Sequence, residues 1–164
     1  MKCELVRLTR FSGEHASVYT VKVDDAPMTL FENFIAENRS THKSELNDIL
    51  SRLHTIGKHT GAREGYFKHK EGSPGDGLVA LYDDPEKKLR LYAIRYGTGI
   101  IIVGGGGPKN VRALQDDPKL KAENYFLRQL SDTIKQKTVD RDIRFSEDRL
   151  FFEGELEFEI ETHE

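Results

Sequence analysis

The apolar residues of this chain change period four times. SVYTVKV (17–23) alternates, with Val18, Thr20 and Lys22 on one face and Tyr19, Val21 and Val23 on the other. CELVRLTRF alternates less regularly, and Ser12-Gly13 marks a turn between the two, so residues 2–24 are predicted to form a β-hairpin. Beyond Pro27 the period lengthens to three and four. Leu30, Phe31, Phe34 and Ile35 mark one helical face behind a Thr29/Glu32 capping-box pair. Leu46, Ile49, Leu50, Leu53 and Ile56 mark a second, over about Thr41 to Ile56, with Gly57 as its stop. Neither helix is long enough to stand alone, so both stripes need a surface to dock on.

Strand patterns then return. LVALY (78–82), LRLYAIRY (89–96) and IIIV (100–103) are separated by DDPEKK and GTG, which reads as an antiparallel meander. IIIV has no polar alternation, the mark of a central strand buried on both faces. A third helix is expected from Gln115 to about Gln136, with Asp116 or Asp117 as cap and Pro118 in its first turn. Its inner face is read as Leu120, Tyr125, Leu127, Leu130 and Ile134. At the end, Leu156, Phe158 and Ile160 alternate with Glu155, Glu157, Glu159 and Glu161, a half-buried strand with an acidic outer face. The expected fold class is α+β, a two-helix hairpin packed on an antiparallel sheet. A chain of 164 residues fits one domain.

Composition narrows the chemistry. The single cysteine, Cys3, excludes an internal disulfide and reads as an inert strand residue. No apolar run approaches membrane-spanning length, and the start MKCELVRLTR lacks a signal-peptide core, so a cytoplasmic location is expected. The formal net charge of −3 is unevenly spread. Residues 58–112 hold 10 Lys/Arg against 6 Asp/Glu, whereas residues 113–164 hold 8 against 14. The basic middle is compatible with a phosphate-bearing partner, and equally with ordinary surface scatter.

The run GGGGPK (104–109) invites comparison with nucleotide loops, and fails it. In a Walker loop a glycine precedes the lysine and a Ser or Thr follows. Here Pro108 has no N–H to offer a phosphate, and Asn110 lacks the magnesium-binding hydroxyl. A dinucleotide fold needs a helix opening directly from the glycines, whereas the next helix here starts about ten residues later. Two readings stay open. The glycines either admit another backbone at a strand exit, or present N–H groups and Lys109 to an anion.

Together, two helices, a strand RLYAIRY, a tight turn, the apolar strand GIIIVGGGG and a following lysine resemble the RelE/ParE superfamily of bacterial toxin–antitoxin toxins, nearest its RelE and HigB-like branches. The resemblance covers residues 28–112 and extends to the helix near 135. It implies one domain, with a RelE-like core at 28–136 flanked by an N-terminal hairpin extension (1–25) and a C-terminal acidic β extension (142–164). It also implies metal-independent cleavage of mRNA on the ribosome, no cofactor, and neutralisation by an antitoxin protein. In that reaction a 2′-hydroxyl attacks its own phosphodiester, and the enzyme supplies cations, a base and an acid. Carried onto this chain, Arg90 clamps the phosphate, Lys109 and Arg112 are the basic residues after the last core strand, and His69 is the base or acid. Lys68, Lys70 and Tyr92 complete an RNA-binding set. The chain departs from the family in lacking a matching catalytic Tyr or His near its end, and in being acidic overall.

Each residue also has a plainer role. Arg90 and Arg95, five apart on one strand, point to opposite faces, and either could pair with an acidic neighbour such as Glu86. Tyr92 and Tyr96 share the face of Arg90, as core tyrosines or as base-stacking platforms. The Lys68-His69-Lys70 run could be a solvated loop. The acidic stripe could simply block edge-to-edge association. The alternative to a nuclease is a non-catalytic RelE-like protein that binds a protein or nucleic-acid partner.

Overall fold

The structure is a computed structural model and describes residues 1–68, 77–82, 88–109 and 117–160. His69, Lys70, Glu86, Arg112 and Glu161, named above, lie outside the described residues.

Among the described residues, three α-helices and a large, mostly antiparallel sheet make an α+β fold. Strand β1 (Lys2–Arg7) and β2 (Ser17–Val23) form the expected hairpin, in the register Cys3↔Val23 to Arg7↔Tyr19. Its long connection is pinned by Ser12, whose hydroxyl accepts from Val18 N–H at 2.9 Å and donates to the Leu8 carbonyl at 2.7 Å. Helix α1 (Leu30–Asn38) starts at the Thr29/Glu32 capping box, with both reciprocal bonds formed. Helix α2 (Lys43–Thr55) follows. Gly57 does not stop it, because the chain continues in a wide turn through Ile56–Thr60 and ends at Gly61, where φ is +76°. Gly57 is glycine for another reason: a Cβ there would collide with the Phe11 carbonyl.

Strands β3 (Phe67–Lys68), β4 (Leu78–Tyr82), β5 (Leu89–Tyr96) and β6 (Ile100–Pro108) form the meander. Helix α3 (Pro118–Val139) is capped by the Asp117 carboxylate, which accepts from Leu120 N–H at 3.1 Å. Strands β7 (Ile143–Phe145) and β8 (Phe152–Gly154) make a separate small hairpin, and β9 (Glu157–Glu159) returns to the main sheet.

The order across that sheet is β3-β4-β5-β6-β2-β1-β9. The N-terminal hairpin and the acidic terminal strand therefore continue the meander's sheet rather than forming units of their own. The join is a parallel pairing of β2 with β6, Ser17↔Ile100 to Tyr19↔Ile102. Beyond Tyr19 the two strands part, and the Thr20 hydroxyl donates to the Val103 carbonyl at 2.8 Å.

Two cores lie on opposite faces. Ile101, Val103, Leu91 and Ala93 pack with Phe31, Phe34, Ile49 and Leu53 of the helical hairpin. Ile100, Ile102, Tyr92 and Ile94 pack with Leu120, Leu127, Leu130 and Ile134 of α3 and with Phe152. As the pattern of IIIV predicts, β6 lies between two helical layers with residues 100–107 all buried. Tyr125, placed on the inner face of α3 from the sequence, is 50% exposed, and Asn124 is buried instead. Five residues beyond Leu120 is a turn of about 500° at 3.6 residues per turn, so Tyr125 falls well off the stripe. Cys3 is fully buried and its thiol is pushed up to about 11, chiefly by burial, which leaves it unreactive.

Candidate functional site

The sheet register decides which sequence candidates can meet. Lys68 pairs with Ala80, which pairs with Tyr92. Two residues along, Tyr82 pairs with Arg90, which pairs with Gly107. One further step is marked by Lys109, whose N–H donates to the Lys88 carbonyl at 2.8 Å. Ala80 and Tyr92 belong to the core under α3, so by the two-residue period Lys68, Tyr82, Arg90, Gly107 and Lys109 all lie on that same face. Arg90 and Lys109 sit on neighbouring strands as diagonal neighbours, a relation that spaces residues by about 7–8 Å and their Cβ atoms somewhat less. Arg90 and Lys109 are partly exposed and Lys68 is exposed.

Two residues leave the set or take another role. Tyr92 is 0% exposed, so its ring is a core side chain and offers no face to a base; this corrects the stacking role. Arg95 lies on the opposite face, as its spacing from Arg90 requires. Its Nε donates to the Ala62 carbonyl at 2.8 Å and its guanidinium lies 3.8 Å from the Glu64 carboxylate, an anchoring role.

The glycine run is part of β6 and not its exit. Opposite Tyr92 the register slips, and Gly104 and Gly105 stand where one residue would ordinarily pair. Helix α3 lies directly on this bulge. A Cβ at Gly104 would press on the Leu127 side chain at 3.0 Å, and one at Gly105 would occupy the place of the Glu123 carboxylate. A Cβ at Gly106 would strike the Arg90 carbonyl. Gly107 has more room, with the Leu120 and Lys119 side chains at 3.7 and 3.8 Å. The run is thus a seam that brings a helix down onto a strand, close to the first of the two open readings. All four glycines are buried, which removes the second, an open N–H cradle.

The seam carries charge that the sequence reading missed. Lys119 Nζ donates to the Gly106 carbonyl at 2.8 Å and pairs with Glu37 at 3.1 Å and Glu123 at 3.4 Å. One ammonium thereby ties α1, β6 and α3 together. The Glu123 carboxyl is held above its ordinary value, mostly by burial. Lys119 works against that shift and Glu37 adds to it. A signal for Glu123 does exist in the sequence. It lies three residues past Leu120 and four before Leu127, a charge on an apolar stripe, on a helix that follows four residues without side chains.

The result is a rim on which Arg90 and Lys109 lie beside the capped first turn of α3, next to the Lys119–Glu37–Glu123 cluster, with Lys68 on the same face two strands from Arg90. Such a rim suits a phosphate, to which a helix start also contributes positive potential. The acidic stripe is remote from it. Four steps separate β9 from β5, about 19 Å at about 4.8 Å per strand. Its carboxylates engage local cations: Glu157 lies 2.7 Å from Lys2, and Glu159 lies 3.3 Å from the N-terminal amine. Among the described residues, no helix is long and apolar enough to cross a membrane.

No protein-family model, curated protein or solved structure matches this chain.

Proposed function

We propose that this chain is a metal-independent endoribonuclease of the RelE/HigB-like toxin type, cutting mRNA in the ribosome and held in check by an antitoxin. The observation that carries the reading is the placement of Arg90 and Lys109 as diagonal neighbours on one sheet face, beside the first turn of α3. Two cations at that spacing can grip the non-bridging oxygens of one phosphodiester, and Lys68 can take a neighbouring phosphate.

The chemistry follows from the substrate. The 2′-oxygen attacks the adjacent phosphorus as its proton passes to a base. The bond to the 5′-oxygen breaks, that oxygen takes a proton from an acid, and a 2′,3′-cyclic phosphate remains. Arg90 and Lys109 stabilise the extra negative charge of the five-coordinate phosphorus. His69 is one candidate for proton transfer. Glu123, whose proton is held more tightly than usual, is the other.

A second reading keeps the surface and omits the chemistry. It is favoured by Glu123 being already engaged by Lys119 and packed on Gly105. One assay separates the two. Purified protein is incubated with single-stranded RNA and with programmed ribosomes in EDTA, and the ends are analysed. Fragments with 2′,3′-cyclic termini, lost in Arg90→Ala and Lys109→Ala, support the nuclease. Binding without cleavage supports the binding module, and intact, unbound RNA on and off the ribosome sinks both.

A further inference from the structure

We propose that the outer edge of β9 is a docking strand for another protein, and that it takes an extended segment in which Lys or Arg alternates with apolar residues. This is independent of the RNA reading, since β9 lies at the far end of the sheet from Arg90.

The edge is built for pairing on one side only. Leu156 accepts from Leu5 N–H at 2.8 Å, and Ile160 N–H donates to the Met1 carbonyl at 2.8 Å, so these residues and Phe158 turn their backbone toward β1. By the same alternation, Glu157 and Glu159 turn their N–H and C=O groups outward. Among the described residues no backbone group meets them. Beside this edge lies a groove of about 430 Å³ between β9 and the last turns of α3, lined among others by Asp132, Asp140, Lys137, Glu159 and Ile160. Lys137 is shared with Asp142 at 3.9 Å and Glu155 at 3.8 Å, so the groove and its rim are acidic.

Charge selects the occupant. In a second copy pairing edge to edge, Glu157 and Glu159 would stand opposite or beside their own counterparts, which like-charge repulsion disfavours. A foreign strand escapes this if the residues opposite Glu157 and Glu159 are Lys or Arg. Its intervening residues then turn to the face of Phe158 and Ile160, toward α3, and should be apolar. Main-chain bonds hold such a strand and the alternating side chains select it, the logic of strand addition.

The test uses the full chain and a fluorescent peptide of alternating Lys and Val, titrated by anisotropy at low salt. Binding is expected, with slowed amide exchange at Glu157 and Glu159. Two changes should each weaken it about tenfold or more: N-methylation of the peptide amides along one edge, and the paired substitution Glu157→Lys with Glu159→Lys. The first acts on the peptide alone, so a misfolded variant cannot mimic the result. The proposal is overturned if the peptide fails to bind at millimolar concentration, or if a peptide of equal composition with its lysines in one block binds as well. It is also overturned if light scattering finds a dimer of the unmodified chain that the charge reversal dissolves.

Discussion

The middle of the main sheet and its β9 edge solve opposite problems with the same kind of strand. In the middle, at β5–β6, four glycines strip a strand of side chains so that α3 can seat Leu127, Glu123 and Lys119 directly on it. At the β1–β9 end, the strand keeps its side chains and turns glutamates to solvent, where Lys2 and the N-terminus partly neutralise them. The first region sets cations beside a buried seam, and the second presents carboxylates on an open edge. A net charge of −3 is the average of these two surfaces and describes neither. For a polyanionic ligand the local patch decides, since screening cuts off charges more than about 8 Å away at physiological salt.

If the seam is as tightly built as the distances imply, its perturbation should cost far more than any change at the acidic edge. Gly106→Ala should have the largest effect, about 3 kcal/mol in urea unfolding, because the added Cβ meets the Arg90 main chain, which cannot swing away. Lys119→Met comes next, at about 1–2 kcal/mol, because it leaves the Gly106 carbonyl without its side-chain donor and Glu123 without its cation. A loss that persists in high salt would show that the hydrogen bond to the Gly106 carbonyl carries the tie, and not the ion pairs with Glu37 and Glu123.

Glu123 gives a pH signature. Its native proton is held above the ordinary carboxyl value, so over that window the native state binds more protons than the unfolded chain. Stability should therefore fall as pH rises from near 4.5 through the raised value, and Glu123→Gln should flatten that fall. Unfolding curves of both proteins between about pH 4 and pH 7 check the sign. Smallest of all, Glu157→Gln should leave the urea midpoint almost unchanged despite its 2.7 Å contact with Lys2, as exposed pairs do. A clear loss there would erase the contrast between the two regions.

What could be read in the sequence was what local periodicity encodes. Thr29 with Glu32 announced the start of α1, and IIIV a strand buried on both faces, and each is found; of the two caps offered for α3, Asp116 and Asp117, it is Asp117 that serves. The pairing of β2 with β6 was not legible, because residues 17–19 and 100–102 meet only once the chain has closed around them. The glycine run was misplaced for the same reason. A missing side chain says that something comes close, not what it is. Tyr92 was readable as a residue on the face of Arg90, but its complete burial depends on α3, which the strand pattern cannot see. Glu123 was overlooked because a charge on an apolar stripe looks like an interruption until the glycines beneath it are known.

The central claim, that Arg90 and Lys109 act on one phosphate, is tested most directly by a double-mutant cycle on RNA cleavage in EDTA. Each alanine substitution should lower the rate about 10²–10³-fold, and the double variant should lose little more than the worse single one, as for groups that act as a unit. Rates untouched by either change, or losses that simply multiply as for distant independent sites, would contradict it.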